Sequence, residues 1–180
     1  MDALTTTAFT LVATYGVVVL LLVFVLEGAL VGKLIPTRTL FVGAVLAVGS
    51  DAFAFLPVAA AAVVGATVGQ LLVFVAVRRY DADPTALDVV PVTEERLDGA
   101  DRWLDRWGLP AVAVTNALPG TRGWLALPTA TSSVSTPRFA AASLAGSATY
   151  AGALVAVALG LERGLRHAAG PVGDALLVVV

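Results

Sequence analysis

Hydrophobic residues run through this chain in long blocks instead of alternating with polar ones. Residues Ala8 to Leu26 form nineteen consecutive positions without a charge, close to the ~20 apolar residues that carry a helix across a ~30 Å hydrocarbon core. A spanning helix is predicted over 8–26. A cleaved signal peptide competes for this stretch, but Asp2 precedes it with no Lys or Arg, and the stretch is long for such a signal. It is expected in the mature protein. Residues Ala52 to Val77 are also uncharged and predict a second spanning helix over 52–77. Gly65 and Gly69 within it have the Gly-x-x-x-Gly spacing that lets helices approach closely, although an Ala/Gly-rich helix also produces that spacing by chance. A third block predicts a spanning helix over 138–161, followed by Glu162, Arg163, Arg166 and His167. Gly170 to Val180 is too short to span alone.

Two further apolar segments are broken. Residues 27–50 contain Glu27, Lys33, Pro36 and Arg38 with four glycines, and residues 109–134 contain Pro110, Pro119, Gly120, Arg122, Gly123 and Pro128. Proline breaks the helical ladder and restricts its predecessor, and glycine permits a tight reversal. Each segment therefore predicts a re-entrant hairpin that returns to the side it entered. Non-helical backbone is tolerated at membrane depth only where protein or a water-filled cavity satisfies it, so a cavity is implied. Interrupted segments in both halves of a chain point to an inverted-repeat transporter with its site near the midplane.

Between Arg78 and Arg106 the pattern inverts, with thirteen charged residues. An aqueous linker is predicted over 78–107. Leu97, Ala100, Trp103, Leu104 and Trp107 form one apolar stripe at helical spacing, which predicts an amphipathic helix on the headgroups with both tryptophans at the interface. Its charges are a solvated face. Five arginines in the linker against none in the N-terminal flank place both on the cytoplasmic side. The first hairpin then enters from outside and the second from inside.

Composition agrees with the pattern. The chain of 180 residues is 58% hydrophobic and 13% charged, with a mean hydropathy of +0.91. The bilayer is its expected solvent. The predicted fold is all-α: a single polytopic membrane domain over 1–180, with three to four spanning helices and two opposed re-entrant hairpins, in the plasma membrane. There is no cysteine, which excludes disulfides, thiolate metal sites and thiol nucleophiles. A formal net charge of −2 gives no basic face for nucleic acid.

Ionisable residues within a membrane are costly and usually face a polar pathway. Glu27 is a candidate for a partly buried pair with Arg38 or Arg122, or for a proton acceptor; the alternative is a helix-end carboxylate at the headgroups. Arg122 follows Pro119-Gly120-Thr121, where its planar fork suits a phosphate or an internal carboxylate. Snorkelling to the interface is the competing role for Arg122, and equally for Lys33 and Arg38. Arg138 and Arg163 look like membrane anchors, and His167 like an exposed side chain. No nucleophile with a base, no phosphate loop and no metal cluster is visible. Neither enzyme chemistry nor a cofactor or metal is expected.

The run Asn116-Ala117-Leu118-Pro119-Gly120-Thr121-Arg122, then Leu127-Pro128 and Thr136-Pro137-Arg138-Phe139, resembles the second-hairpin signature of the DedA (VTT-domain, SNARE-associated) membrane proteins. Phe24-Val25-Leu26-Glu27, Pro36, Gly65 to Gly69 and Arg78-Arg79 resemble features of the family's first half. The likeness covers about residues 15 to 161. It implies a flippase or scramblase of an anionic lipid, such as a polyprenyl phosphate or a phospholipid, with coupling to protons or sodium and homo-oligomerisation left open. A non-transporting membrane assembly factor of the same fold is the alternative. The implied site is Glu27, Arg38, Asn116, Pro119, Gly120 and Arg122, with Lys33, Gln70 and Arg138 as secondary candidates. Three positions depart from the family pattern. Asn116 stands in place of an arginine, Arg38 in place of an acid, and Gln70 in place of an acid. The first two suggest either a charge pair preserved by relocation between positions 38 and 116 or a diverged member with altered substrate or coupling.

Overall fold

A computed structural model describes residues 16–29, 36–48, 54–80 and 94–177. All regular structure among them is helical: α1 (Val17–Gly28), α2 (Thr37–Val48), α3 (Leu56–Tyr80), α4 (Glu94–Trp107), α5 (Leu109–Ala117), α6 (Ala126–Thr131) and α7 (Thr136–Leu177). Two of these are long and apolar enough to cross a membrane, Leu56–Tyr80 and the Thr136–His167 part of α7. The 12 residues of α1 rise only about 18 Å at 1.5 Å per residue.

The helix directions follow from their contacts. On α3, a Cβ built at Gly65 would lie 2.6 Å from the Leu21 carbonyl oxygen, and one at Gly69 would strike the carbonyl of Val25 and lie 2.6 Å from the Ala29 nitrogen. Contacts therefore advance in the same direction on both helices, so α1 and α3 run parallel. The Gly-x-x-x-Gly spacing serves packing here: lipid gives helices no hydrophobic drive to associate, and close backbone approach substitutes for it. Helix α7 runs antiparallel to α3, because Gln70 meets Ser143 and Phe74 stacks on Phe139 with ring centroids 4.4 Å apart.

Since α1 and α3 are parallel, α2 returns between them. Its first turn lies beside Glu27, and its later residues Ala44 and Val45 join Leu20, Val58, Val155 and Ala158 in one apolar cluster. The C-terminal end of α1 and the first turn of α2 thus lie level with Gln70, midway along α3. Helices α5 and α6 pack near the opposite end of α3. Ala111 and Val112 of α5 and Ala126, Leu127 and Ala130 of α6 pack with Phe74, Val77 and Phe139, and the turn between them reaches back towards Glu27. Gly120 and Gly123 take φ of 93° and 76°, a left-handed conformation that glycine adopts without steric cost.

Several boundaries differ from the sequence expectations. Helix α1 begins after Gly16, whose φ is 60°, so the helical backbone is interrupted inside the predicted 8–26 span; residues 8–15 lie outside the described set. Glu27 lies in the last turn of α1, as expected for the end of the first apolar block, and α2 occupies 37–48 of the predicted 27–50 segment; residues 30–35 lie outside the described set. Gly170 to Leu177 continue α7 and form no separate helix. Helix α4 seats Leu104 among Phe74, Ala111 and Leu127 while Trp103 and Trp107 stay exposed. Arg78, over the Phe74 ring, donates to the carbonyls of Ser132 and Val134. It ties the end of α3 to the segment after α6.

Candidate functional site

A cavity of about 480 Å³ opens beside the middle of α3, bordered by Glu27, Pro36, Arg38, Gln70, Gly120 and Arg122. Residues from four parts of the chain converge there. Glu27 ends α1, Arg38 occupies the first turn of α2, Gln70 lies mid-α3, and Arg122 follows the α5 turn.

Arg122 Nη1 lies 3.5 Å from Glu27 Oε1, with the two side chains only 10% and 19% exposed. Withdrawing both charges from water is expensive and is offset only by good mutual geometry and further partners. Tyr150 of α7 supplies one: its ring lies under the Arg122 guanidinium, 4.1 Å from Cζ to the centroid, a favourable cation–π arrangement. The same tyrosine reaches Arg38, whose Nε donates to the phenol oxygen at 3.0 Å. Glu27 Oε2 and Arg122 Nε remain buried without a hydrogen-bond partner. The cavity therefore presents two guanidinium groups against one carboxylate, with unspent donor and acceptor capacity. That surplus suits an anion.

A neutral junction lies alongside. Gln70 Oε1 accepts from Asn116 Nδ2 at 2.8 Å and from the Ser143 hydroxyl, and Asn116 Oδ1 accepts from the Gly123 backbone N–H at 2.9 Å. These side chains are almost fully buried. On α7, a Cβ built at Gly146 would lie 2.6 Å from the Asn116 Cβ, so only glycine lets α5 come this close. The junction corrects the relocated-charge expectation: Asn116 is partnered by Gln70, and Arg38 by Tyr150. The two departures that meet are those at 70 and 116.

Of the sequence candidates, Glu27, Arg38, Gln70, Gly120 and Arg122 border the cavity. Asn116 supports it from behind, and Pro119 is an exposed turn residue. Arg138 is exposed in the first turn of α7 and does not border it. Lys33 lies outside the described residues. Arg166 pairs with Glu162 at 2.7 Å, and His167 is exposed. Sequence reasoning missed Tyr150, Ser143 and Ser147. Their spacing of four and three residues marks a polar stripe on an otherwise apolar helix, a signal that was available.

Among groups in the aqueous segment, Asp101 on α4 has its carboxyl raised from the usual 3.8 by partial burial and by the neighbouring Asp105 and Asp98.

The described residues form a helical fold in which two helices are long and apolar enough to cross a membrane and a Glu27–Arg122 ion pair lies largely buried among apolar helices. The VTT domain matches residues 35–160, most of the chain, and the chain belongs to that family, the DedA or SNARE-associated membrane proteins. No curated protein and no solved structure is significantly similar to it.

Proposed function

We propose that the protein moves an anionic lipid across the plasma membrane, as a flippase or scramblase, with the headgroup passing through the cavity between the hairpin turns. In this reading α3 and α7 span the bilayer, and α1–α2 and α5–α6 re-enter from opposite faces. The α4 tryptophans rest in the interface, and the arginine-rich linker faces the cytoplasm. The observation that carries it is the cavity at mid-height with Glu27, Arg38 and Arg122 on its walls. Charged groups at that depth are costly, and an aqueous or lipid-headgroup pathway is the usual reason they persist. Arg38 and Arg122 hold the phosphate, and Glu27 is the pair partner of Arg122 or a proton acceptor that releases it. Phosphorylated isoprenoids and phospholipids both present such a headgroup.

The second reading, a non-transporting assembly factor, draws on the same geometry, because Glu27, Arg122 and Tyr150 clamp α1, the α5 turn and α7 together. Reconstitution decides between them. Purified protein in phosphatidylcholine vesicles doped with a fluorescent phosphatidylglycerol should accelerate exchange of the labelled lipid between leaflets, and Arg122→Ala should abolish the acceleration while retaining helical circular dichroism. Wild-type protein that is folded yet moves neither this lipid nor a labelled polyprenyl phosphate favours the assembly role.

A further inference from the structure

Arg38 and Arg122 share a cavity but are not equivalent. One face of Arg122 is covered by the Tyr150 ring, and its Nη1 edge points to Glu27. Its side chain is 10% exposed. Arg38 is an exposed residue on the cavity wall; among the described residues it has no carboxylate within ion-pair distance and its hydrogen bond is the one from Nε to the Tyr150 hydroxyl. A guanidinium anchored at Nε keeps the fork of its two terminal nitrogens for a second partner. That fork matches two oxygens of a phosphate group.

We infer that Arg38, not Arg122, makes the selecting contact with the phosphate-bearing anion, and that Tyr150 is the positioning residue that presents it. This rests on the headgroup reading above and adds a division of labour. Arg122, Glu27 and the Tyr150 ring form the fixed floor of the cavity. The Tyr150 hydroxyl fixes the direction of the Arg38 fork, which lowers the ordering cost of gripping an anion. One tyrosine therefore does two separable things, and removing its hydroxyl alone leaves the ring stack on Arg122 in place.

The test is equilibrium binding to the full chain in neutral detergent, which requires no transport. The probes are water-soluble dihexanoyl phosphatidylglycerol, the phosphate-free dihexanoyl glycerol and inorganic phosphate. Wild-type protein should prefer the phosphatidylglycerol probe over the phosphate-free one. Tyr150→Phe should weaken the phosphatidylglycerol probe by about fivefold or more, as expected for loss of a hydrogen bond to a charged group, with the phosphate-free probe and the thermal midpoint unchanged. Arg38→Gln should abolish the preference, and the double variant should be no worse than Arg38→Gln alone, because Tyr150 acts through Arg38. Should Arg38→Gln fold poorly, Arg38→Lys provides the same test, since an ammonium lacks the fork. An unchanged preference in Tyr150→Phe, or strictly additive losses, would overturn the positioning role. A wild-type protein without preference would overturn the Arg38 assignment whether or not lipid moves. Inorganic phosphate displacing the lipid probe at equal concentration would support the Arg38 fork and overturn its assignment to a lipid. Absence of lipid movement with the preference intact would defeat the transport reading alone.

Discussion

Asn116 and Arg122 lie six residues apart around one turn, yet they sit in contrasting surroundings. Asn116 belongs to a closed neutral junction in which the Gln70 and Asn116 carbonyl oxygens and the Ser143 hydroxyl are engaged with one another or with the Gly123 backbone. Arg122 belongs to an open charged cluster that keeps buried polar atoms unpartnered and carries one more positive than negative group. A satisfied neutral network at membrane depth costs little and holds elements in register. An under-satisfied charged cluster costs stability and is retained where it does something else. In the function proposed above, the neutral junction is architecture and the charged cavity is the site, and the contrast can be broken at either end.

The largest effect is expected at the charged end. Arg122→Ala leaves Glu27 as an unpaired buried carboxylate, a loss of about 3–5 kcal/mol where the partner charge stays ionised, so its thermal midpoint should fall well below that of wild type. Glu27→Gln/Arg122→Ala together should recover much of that stability while transport stays absent. Arg122→Lys should fold near normally and still lose most transport, because an ammonium cannot reproduce the guanidinium stack on Tyr150. Comparable transport by the Lys variant would reduce Arg122 to a simple positive charge.

At the neutral end the effect is smaller and confined to stability. Ser143→Ala removes one of the two donors to Gln70 Oε1 and should cost about 1 kcal/mol, with the folded protein transporting at the wild-type rate, since Ser143 does not line the cavity. Gln70→Glu and Asn116→Arg should each lower folded yield by burying a lone charge. Their combination should recover part of the loss by forming an ion pair across the 2.8 Å contact, a coupling that a double-mutant cycle on thermal midpoints isolates. Additive losses would show that the two side chains do not communicate.

These two regions also mark how far the sequence could be followed. Glu27 and Arg122 were legible because charge is rare and costly inside apolar blocks, and the Pro/Gly interruptions located both breaks. The helices α3 and α7 were legible as uncharged runs. The direction of α1 was not: it shows in the contacts that Gly65 and Gly69 make with α1, and a small-residue motif says where a partner packs without naming it. The pairing of Gln70 with Asn116 spans 46 positions, beyond any local periodicity. Tyr150 was passed over because an aromatic residue in an apolar helix ordinarily faces lipid or core.

The smallest expected effect lies outside both regions, on α4. Asp101 has a raised carboxyl pKa in the folded protein, so its charged form opposes the docked helix. Relief comes as pH falls through the raised value, and the opposition is fully present above it. Protection of the amides across 98–107, taken relative to the intrinsic exchange rate at each pH, should therefore rise modestly from neutral towards mildly acidic pH, and Asp101→Asn should show the higher protection already at neutral pH with little further change on acidification. A fall in protection on acidification would reverse the assignment.

The central claim, that the headgroup passes through the charged cavity, is tested most directly at Thr39, an exposed cavity-wall residue in a chain without cysteine. Thr39→Cys in vesicles should move labelled phosphatidylglycerol before treatment and stop once a bulky maleimide is attached, while Ser135→Cys, exposed away from the cavity, should be indifferent to the same reagent. Fully labelled Thr39→Cys that still moves lipid at its untreated rate would contradict passage through the cavity.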